Sequence, residues 1–151
     1  MAVRIRPATE ADIPEIVDVS MLSFDPNTDA ISAHLFPAHL QSQDNEAFAK
    51  WSIARKSARL HLKNSLVMVA VDDDLGGKIV GFSMWFIPMS EGSEGDEAPR
   101  PNPTLDGIDL EALAELRQIM ADDEHRTFGK DGSKRVWSEL LRASCRIGGH
   151  S

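Results

Sequence analysis

Residues 65–88 read SLVMVAVDDDLGGKIVGFSMWFIP. Two apolar runs, Leu66–Val71 and Ile79–Ile87, flank a short turn built from Asp72, Asp73, Asp74, Gly76 and Gly77. Val, Ile, Phe and Trp suit extended backbone, while Asp and Gly supply the angles of a tight reversal, so the stretch predicts an antiparallel hairpin. Neither arm alternates cleanly between apolar and polar residues, which predicts a ribbon covered on both faces, the middle of an α/β sandwich. Gly81, inside the second arm, marks either a bulge or a place where a neighbour needs room.

Upstream of the hairpin, Val3 and Ile5 alternate with Arg4 and Arg6, a short half-buried strand ended by Pro7. Asp12 then reads as a helix N-cap, with Pro14 in the first turn and Glu15 as the second half of a capping box. Ile13, Ile16, Val17, Met21 and Phe24 recur at helical spacing and form the face that docks onto a sheet. Asp25-Pro26-Asn27 breaks the helix, and residues 25–43 predict an irregular segment with one short helix. A second long helix is expected from about Asn45 to Leu62. Its apolar stripe would be Phe48, Trp51, Ala54, Ala58 and Leu62, with Lys50, Arg55, Lys56 and Arg59 facing water.

Downstream, residues 89–106 are acidic and rich in Gly, Ser and Pro, with almost nothing to bury, and are expected to form a flexible insertion. A helix resumes with Asp109 as N-cap and Leu110, Leu113, Ala114, Leu116 and Met120 on one side. A turn at Phe128–Gly132 leads to one more strand at Val136–Leu141. The sum is an α/β (α+β) chain, a mostly antiparallel central sheet of about four strands with flanking helices, in one domain spanning residues 1–151.

The 151 residues carry a formal charge of −8, with 42% apolar and 26% charged residues. That balance argues against nucleic acid or an anionic membrane as partner, because neither has a basic surface to bind. No apolar run is long enough to cross a bilayer, and no apolar leader follows Met1. A single cysteine, Cys145, excludes an internal disulfide framework and suits a reducing compartment, so a cytoplasmic location is expected, with the nucleus as the alternative. His34, His39, His61 and His125 show no zinc-like spacing, and no metal site is expected.

RIRPATEADI at 4–13 and KIVGFSMW at 78–85, at this separation, resemble the opening strand and helix and the long central strand of the GNAT superfamily of acyl-CoA-dependent N-acetyltransferases. Phe36-Pro37, a second helix bearing Trp51 and the acidic, Pro-rich insertion are similar to features of a fungal-type subgroup. The resemblance covers residues 3 to about 141. It implies acetyl-CoA as cosubstrate and a small amine as acceptor.

The family's loop for the coenzyme pyrophosphate has the form Q/R-x-x-G-x-G/A and opens a helix, whose unpaired amides hold the anion. Here Gly148-Gly149 is the nearest match; it sets Cys145 where Gln or Arg belongs and His150 where Gly or Ala belongs. The chain therefore reads as an incomplete GNAT-like domain stopped just after its fourth strand, with no cofactor-binding residues identified. By the same resemblance, Glu139 occupies the position of the general base, and the alternative for it is a solvated glutamate. The tyrosine acid common in the family has no counterpart, since the sequence contains no Tyr. Phe24, Asp25, Phe36, Trp85 and Phe86 would line the acceptor pocket. The alternative is plain core packing for Phe24 and for whichever of Trp85 and Phe86 faces the main core, and turn formation for Asp25. Two functions follow: an N-acetyltransferase, or a non-catalytic remnant acting as a protein-interaction module. In the second, the open edge of the last strand would support self-association.

Overall fold

The computed structural model describes residues 2–41, 46–88, 107–130, 132 and 136–144. In order these form β1 (Val3–Pro7), α1 (Ile13–Ser23), α2 (Ala30–Leu35), α3 (Glu46–Leu60), β2 (Ser65–Asp72), β3 (Lys78–Phe86), α4 (Leu110–Phe128) and β4 (Ser138–Ser144). The strands make one sheet in the order β1-β2-β3-β4, every neighbouring pair antiparallel. The expected α+β class and four-stranded antiparallel sheet are what the molecule has. Among the described residues, no helix is long and apolar enough to cross a membrane.

The β2–β3 hairpin is at the centre. Its turn is a single 3-10 turn at Asp73–Leu75, closed by Gly76 and Gly77 at φ 69° and 86°, a region open to glycine at little cost. The Asp72 carboxylate accepts from the Asp74 N–H at 2.9 Å, and the Gly77 N–H donates to the Asp72 carbonyl at 3.0 Å. At Gly81 both sequence readings meet. Ala70 pairs with Gly81 but Val71 pairs with Ile79, leaving Val80 as a bulge, and a Cβ on Gly81 would lie 3.1 Å from the Ala143 carbonyl oxygen. The bulge lets Ile79 and Phe82, three apart, share the core face.

That face carries Val67, Val69, Val71, Ile79, Phe82, Met84 and Ala143, packed against Ile13, Ile16, Val17 and Val19 of α1. Each such side chain contributes roughly 1.5–3 kcal/mol on full burial. α3 lies beside α1 on the same face. A second core joins Leu35, Phe36, Ala47 and Phe48 to Ile108, Ala112 and Leu113. Phe36 meets the rings of Phe48 and Trp51 edge-on at 5.0 and 5.4 Å. Asp109 caps α4 as expected, accepting from the Glu111 and Ala112 N–H groups at 3.0 Å. The first turns of α4 dock on this core, while Ile119, Met120 and Phe128 are exposed.

Four expectations are corrected. The ribbon is not covered on both faces by the described residues: Leu66, Met68, Ala70, Ser83 and Trp85 stay half-buried on the face away from α1 and α3. Val3 and Ile5 of β1 belong to that open face, with Ile5 72% exposed, because Ile5 pairs with Ala70. The capping box lies one turn earlier than expected: Asp12 accepts from the Thr9 N–H and hydroxyl at 2.7 and 2.8 Å, while Glu15 accepts from the Ile79 N–H at 2.9 Å. On α3 the inward residues are Phe48, Ser52 and Lys56, not a stripe through Ala54 and Ala58, and Lys56 is 5% exposed instead of facing water.

Candidate functional site

Glu139 lies on β4 opposite Trp85, and Arg142 lies opposite Ser83. Residues three apart on a regular strand point to opposite faces. Here Met84 pairs with Leu141 and Trp85 with Glu139, so Leu140 is an extra residue that brings Glu139 and Arg142 to one side. The Arg142 guanidinium donates to both carboxylate oxygens of Glu139, at 2.7 and 2.8 Å. This bond, with the carboxylate's charge, holds the arginine above its ordinary pKa. On β3 the Trp85 indole N–H donates to the Ser83 hydroxyl at 3.0 Å. By register these four side chains share the open face of the sheet, a carboxylate, a guanidinium, a hydroxyl and an indole on two adjacent strands. Chemically, Glu139 can accept a proton from an amine there, provided that the amine competes with Arg142 for the carboxylate.

The other expected site residues lie elsewhere. Phe86 follows Trp85 and so points to the opposite face, where the Arg59 guanidinium sits 5.3 Å from its ring centroid. Phe24 is half-buried at the junction of the two cores, and Phe36 is 1% exposed inside the second. The Asp25 carboxylate accepts from the Asn27 N–H at 2.9 Å and from the Asn27 side chain at 2.7 Å, building the turn into α2. The structure thus brings Glu139 and Trp85 together and leaves Phe24, Asp25, Phe36 and Phe86 on the helical side. The pairing of Arg142 with Glu139 escaped the sequence reading because the extra residue at Leu140 has no Gly or Pro to announce it.

The insertion at 89–106 and the tail with Cys145, Gly148, Gly149 and His150 lie outside the described residues. The described part of β4 ends at Ser144 with no described helix N-terminus after it, so the described residues do not furnish a pyrophosphate cradle. Among the described residues no group of three or more His, Cys, Asp or Glu is placed to hold a metal ion. His34 pairs with Glu115 at 3.2 Å and His61 with Glu10 at 2.7 Å.

No protein-family model matches the chain, and no curated protein matches it. Among solved structures, the chain is similar to the C-terminal condensation domain of Ebony in complex with beta-alanyl-dopamine. The TM-score is 0.60 at 13% identity, over 99% of this chain and 62% of that one. It is also similar to a structure described as histone acetyltransferase HPA2 and related acetyltransferase from Corynebacterium glutamicum, 29% identical over 59% of this chain and 45% of that one, with a TM-score of 0.37. A third is the PaiA N-acetyltransferase of Thermoplasma acidophilum in complex with coenzyme A, 18% identical over 82% of this chain and 74% of that one, with a TM-score of 0.33. The latter two are partial likenesses. The chain spans 62% of the length of the condensation domain and shares its fold.

Proposed function

We propose that this chain is a GNAT-like N-acyltransferase domain of the fungal type, using acetyl-CoA to acylate a small amine, with Glu139 as the group that takes the ammonium proton. The observation that carries the reading is that the two resembling segments, 4–13 and 78–85, meet in one sheet, β1 and β3 flanking β2, with β4 presenting Glu139 beside β3. A fold in common with a condensation domain solved with an acylated amine supports it. The coenzyme phosphates would be held by residues outside the described ones. Calorimetry with acetyl-CoA tests this: micromolar binding, about −8 kcal/mol, is expected from a complete cofactor site, including one shared between chains. Acetyl transfer to primary amines should then fall roughly 10²–10⁴-fold in Glu139→Gln. No binding up to millimolar acetyl-CoA overturns the reading.

One observation favours a second reading, a protein-interaction module. Val3 and Ile5 are 43% and 72% exposed on the open sheet face, and among the described strands β4 has no partner on its outer edge. Concentration-dependent self-association in light scattering is its expected outcome. A clean monomer with one cooperative unfolding transition counts against it.

A further inference from the structure

Across the open face of the sheet the side chains fall into rungs. Leu66 on β2, Trp85 on β3 and Glu139 on β4 are consecutive partners, and Met68, Ser83 and Arg142 form the next rung. The two rungs are charged at their β4 end and apolar at their β2 end. Leu66, Met68 and Trp85 are half-buried, while the Glu139 and Arg142 side chains are 27% and 69% exposed and open to a ligand. Neighbouring strands lie about 4.8 Å apart, so a small molecule held at Glu139 carries its next few atoms over the Trp85 indole. That indole is tied along β3 by its bond to the Ser83 hydroxyl.

The ion pair discriminates among amines. The Arg142 guanidinium engages both oxygens of Glu139. An amine with no second charge takes the carboxylate from Arg142 and returns nothing to the guanidinium. A molecule with an ammonium and a carboxylate on the same carbon satisfies both. Its ammonium donates to Glu139, its carboxylate accepts from Arg142, and every charge keeps a counter-charge. We propose that the open face binds a free α-amino acid with an apolar or aromatic side chain, its ammonium on Glu139, its carboxylate on Arg142 and its side chain over Trp85 towards Leu66. The proposal rests on the reading of Glu139 as the group that meets the acceptor amine, and it narrows that amine to a zwitterion.

L-Phenylalanine is the probe, with phenethylamine and 3-phenylpropionate as analogues that each keep one of its two charges. Titrations without acetyl-CoA follow the Trp85 indole N–H signal by NMR, assigned by its loss in Trp85→Phe. The wild-type chain should bind phenylalanine at least about tenfold more tightly than either analogue. It should also prefer phenylalanine to alanine by about tenfold, the gain from covering the ring. Arg142→Met removes an exposed guanidinium and should bring phenylalanine and phenethylamine to within about threefold of each other. Equal binding of those two by the wild type, an unchanged preference in Arg142→Met, or no phenylalanine binding up to about 100 mM overturns the proposal. Acetyl transfer is read separately. Transfer to phenethylamine but not to phenylalanine overturns the amino-acid assignment alone, whereas phenylalanine binding with transfer to neither overturns the acyl-transfer reading alone.

Discussion

The guanidinium of Arg6 and the carboxylate of Asp12 face each other in parallel, with two contacts of 2.7 Å, tying the end of β1 to the start of α1. Asp12 also accepts from Thr9, and these bonds hold its carboxyl far below the usual carboxylate range, Arg6 being the main cause. A depressed carboxylate pKa contributes stability that is fully present above about pH 4 and is lost as pH falls toward the folded-state value. Asp12→Asn should therefore unfold about 2 kcal/mol more easily at pH 7. Urea titrations from pH 7 down to 2.5 should show that gap narrowing below pH 4; a gap independent of pH would contradict it.

Lys56 runs in the opposite direction. Burial lowers its pKa from 10.5 to about 8, so the unfolded chain binds this proton more tightly and the folded state is penalised at neutral pH. The difference corresponds to ~3 kcal/mol. Lys56→Met should be more stable than wild type by about 1–3 kcal/mol at pH 7. The advantage should shrink as pH rises from 8 toward 10.5, where the wild-type side chain is neutral in both states.

At Gly81 the limit is space. The contact that a Cβ would make is with a backbone carbonyl of β4, which is held by the sheet and cannot swing away. Gly81→Ala should cost about 1 kcal/mol and Gly81→Val up to about 3 kcal/mol. The amide signals of Ala143 and Ser144 should shift most, and neutral behaviour of the valine variant would argue that β4 is looser here than described.

Phe36 anchors the second core. Phe36→Ala should destabilise by about 3–5 kcal/mol, since the cavity opens between Phe48, Trp51 and the start of α4. Hydrogen exchange should accelerate first at Ala112 and Leu113, whose docking depends on that core. Equal acceleration in the β2–β3 hairpin would show that the two cores unfold as one unit.

The hairpin, the antiparallel sheet, α1 and the cap of α4 were legible because each rests on local chemistry: β-branched runs, glycines in the left-handed region, an Asp at a helix start. What the sequence concealed was set by long-range partners. Ile5 looks like a core residue until its pairing with Ala70 assigns it to the open face. Lys56 looks like surface until the rotation of α3 is fixed by Phe48 and Ser52. Glu139 is expected as a base only through family resemblance, and its contact with Arg142 depends on a bulge that no residue type signals. Of the five expected pocket residues, only Trp85 shares its face, since residue-type arguments say that an aromatic side chain is buried without saying in which core.

The pairing of β1 with β2, from Val3 opposite Asp72 to Pro7 opposite Met68, also fixes an order of assembly. The first strand emerges from the ribosome long before its partner exists, and closing so long a loop carries an entropic cost that the local hairpin avoids. Loop-closure entropy therefore favours the β2–β3 ribbon as the first pairing, and β1 has no strand to pair with until β2 has been made. Throughout synthesis of the first 64 residues, Ile13, Ile16 and Val17 have no sheet to cover them. The apolar face of the first helix therefore stays open to water until the chain's own centre has been made.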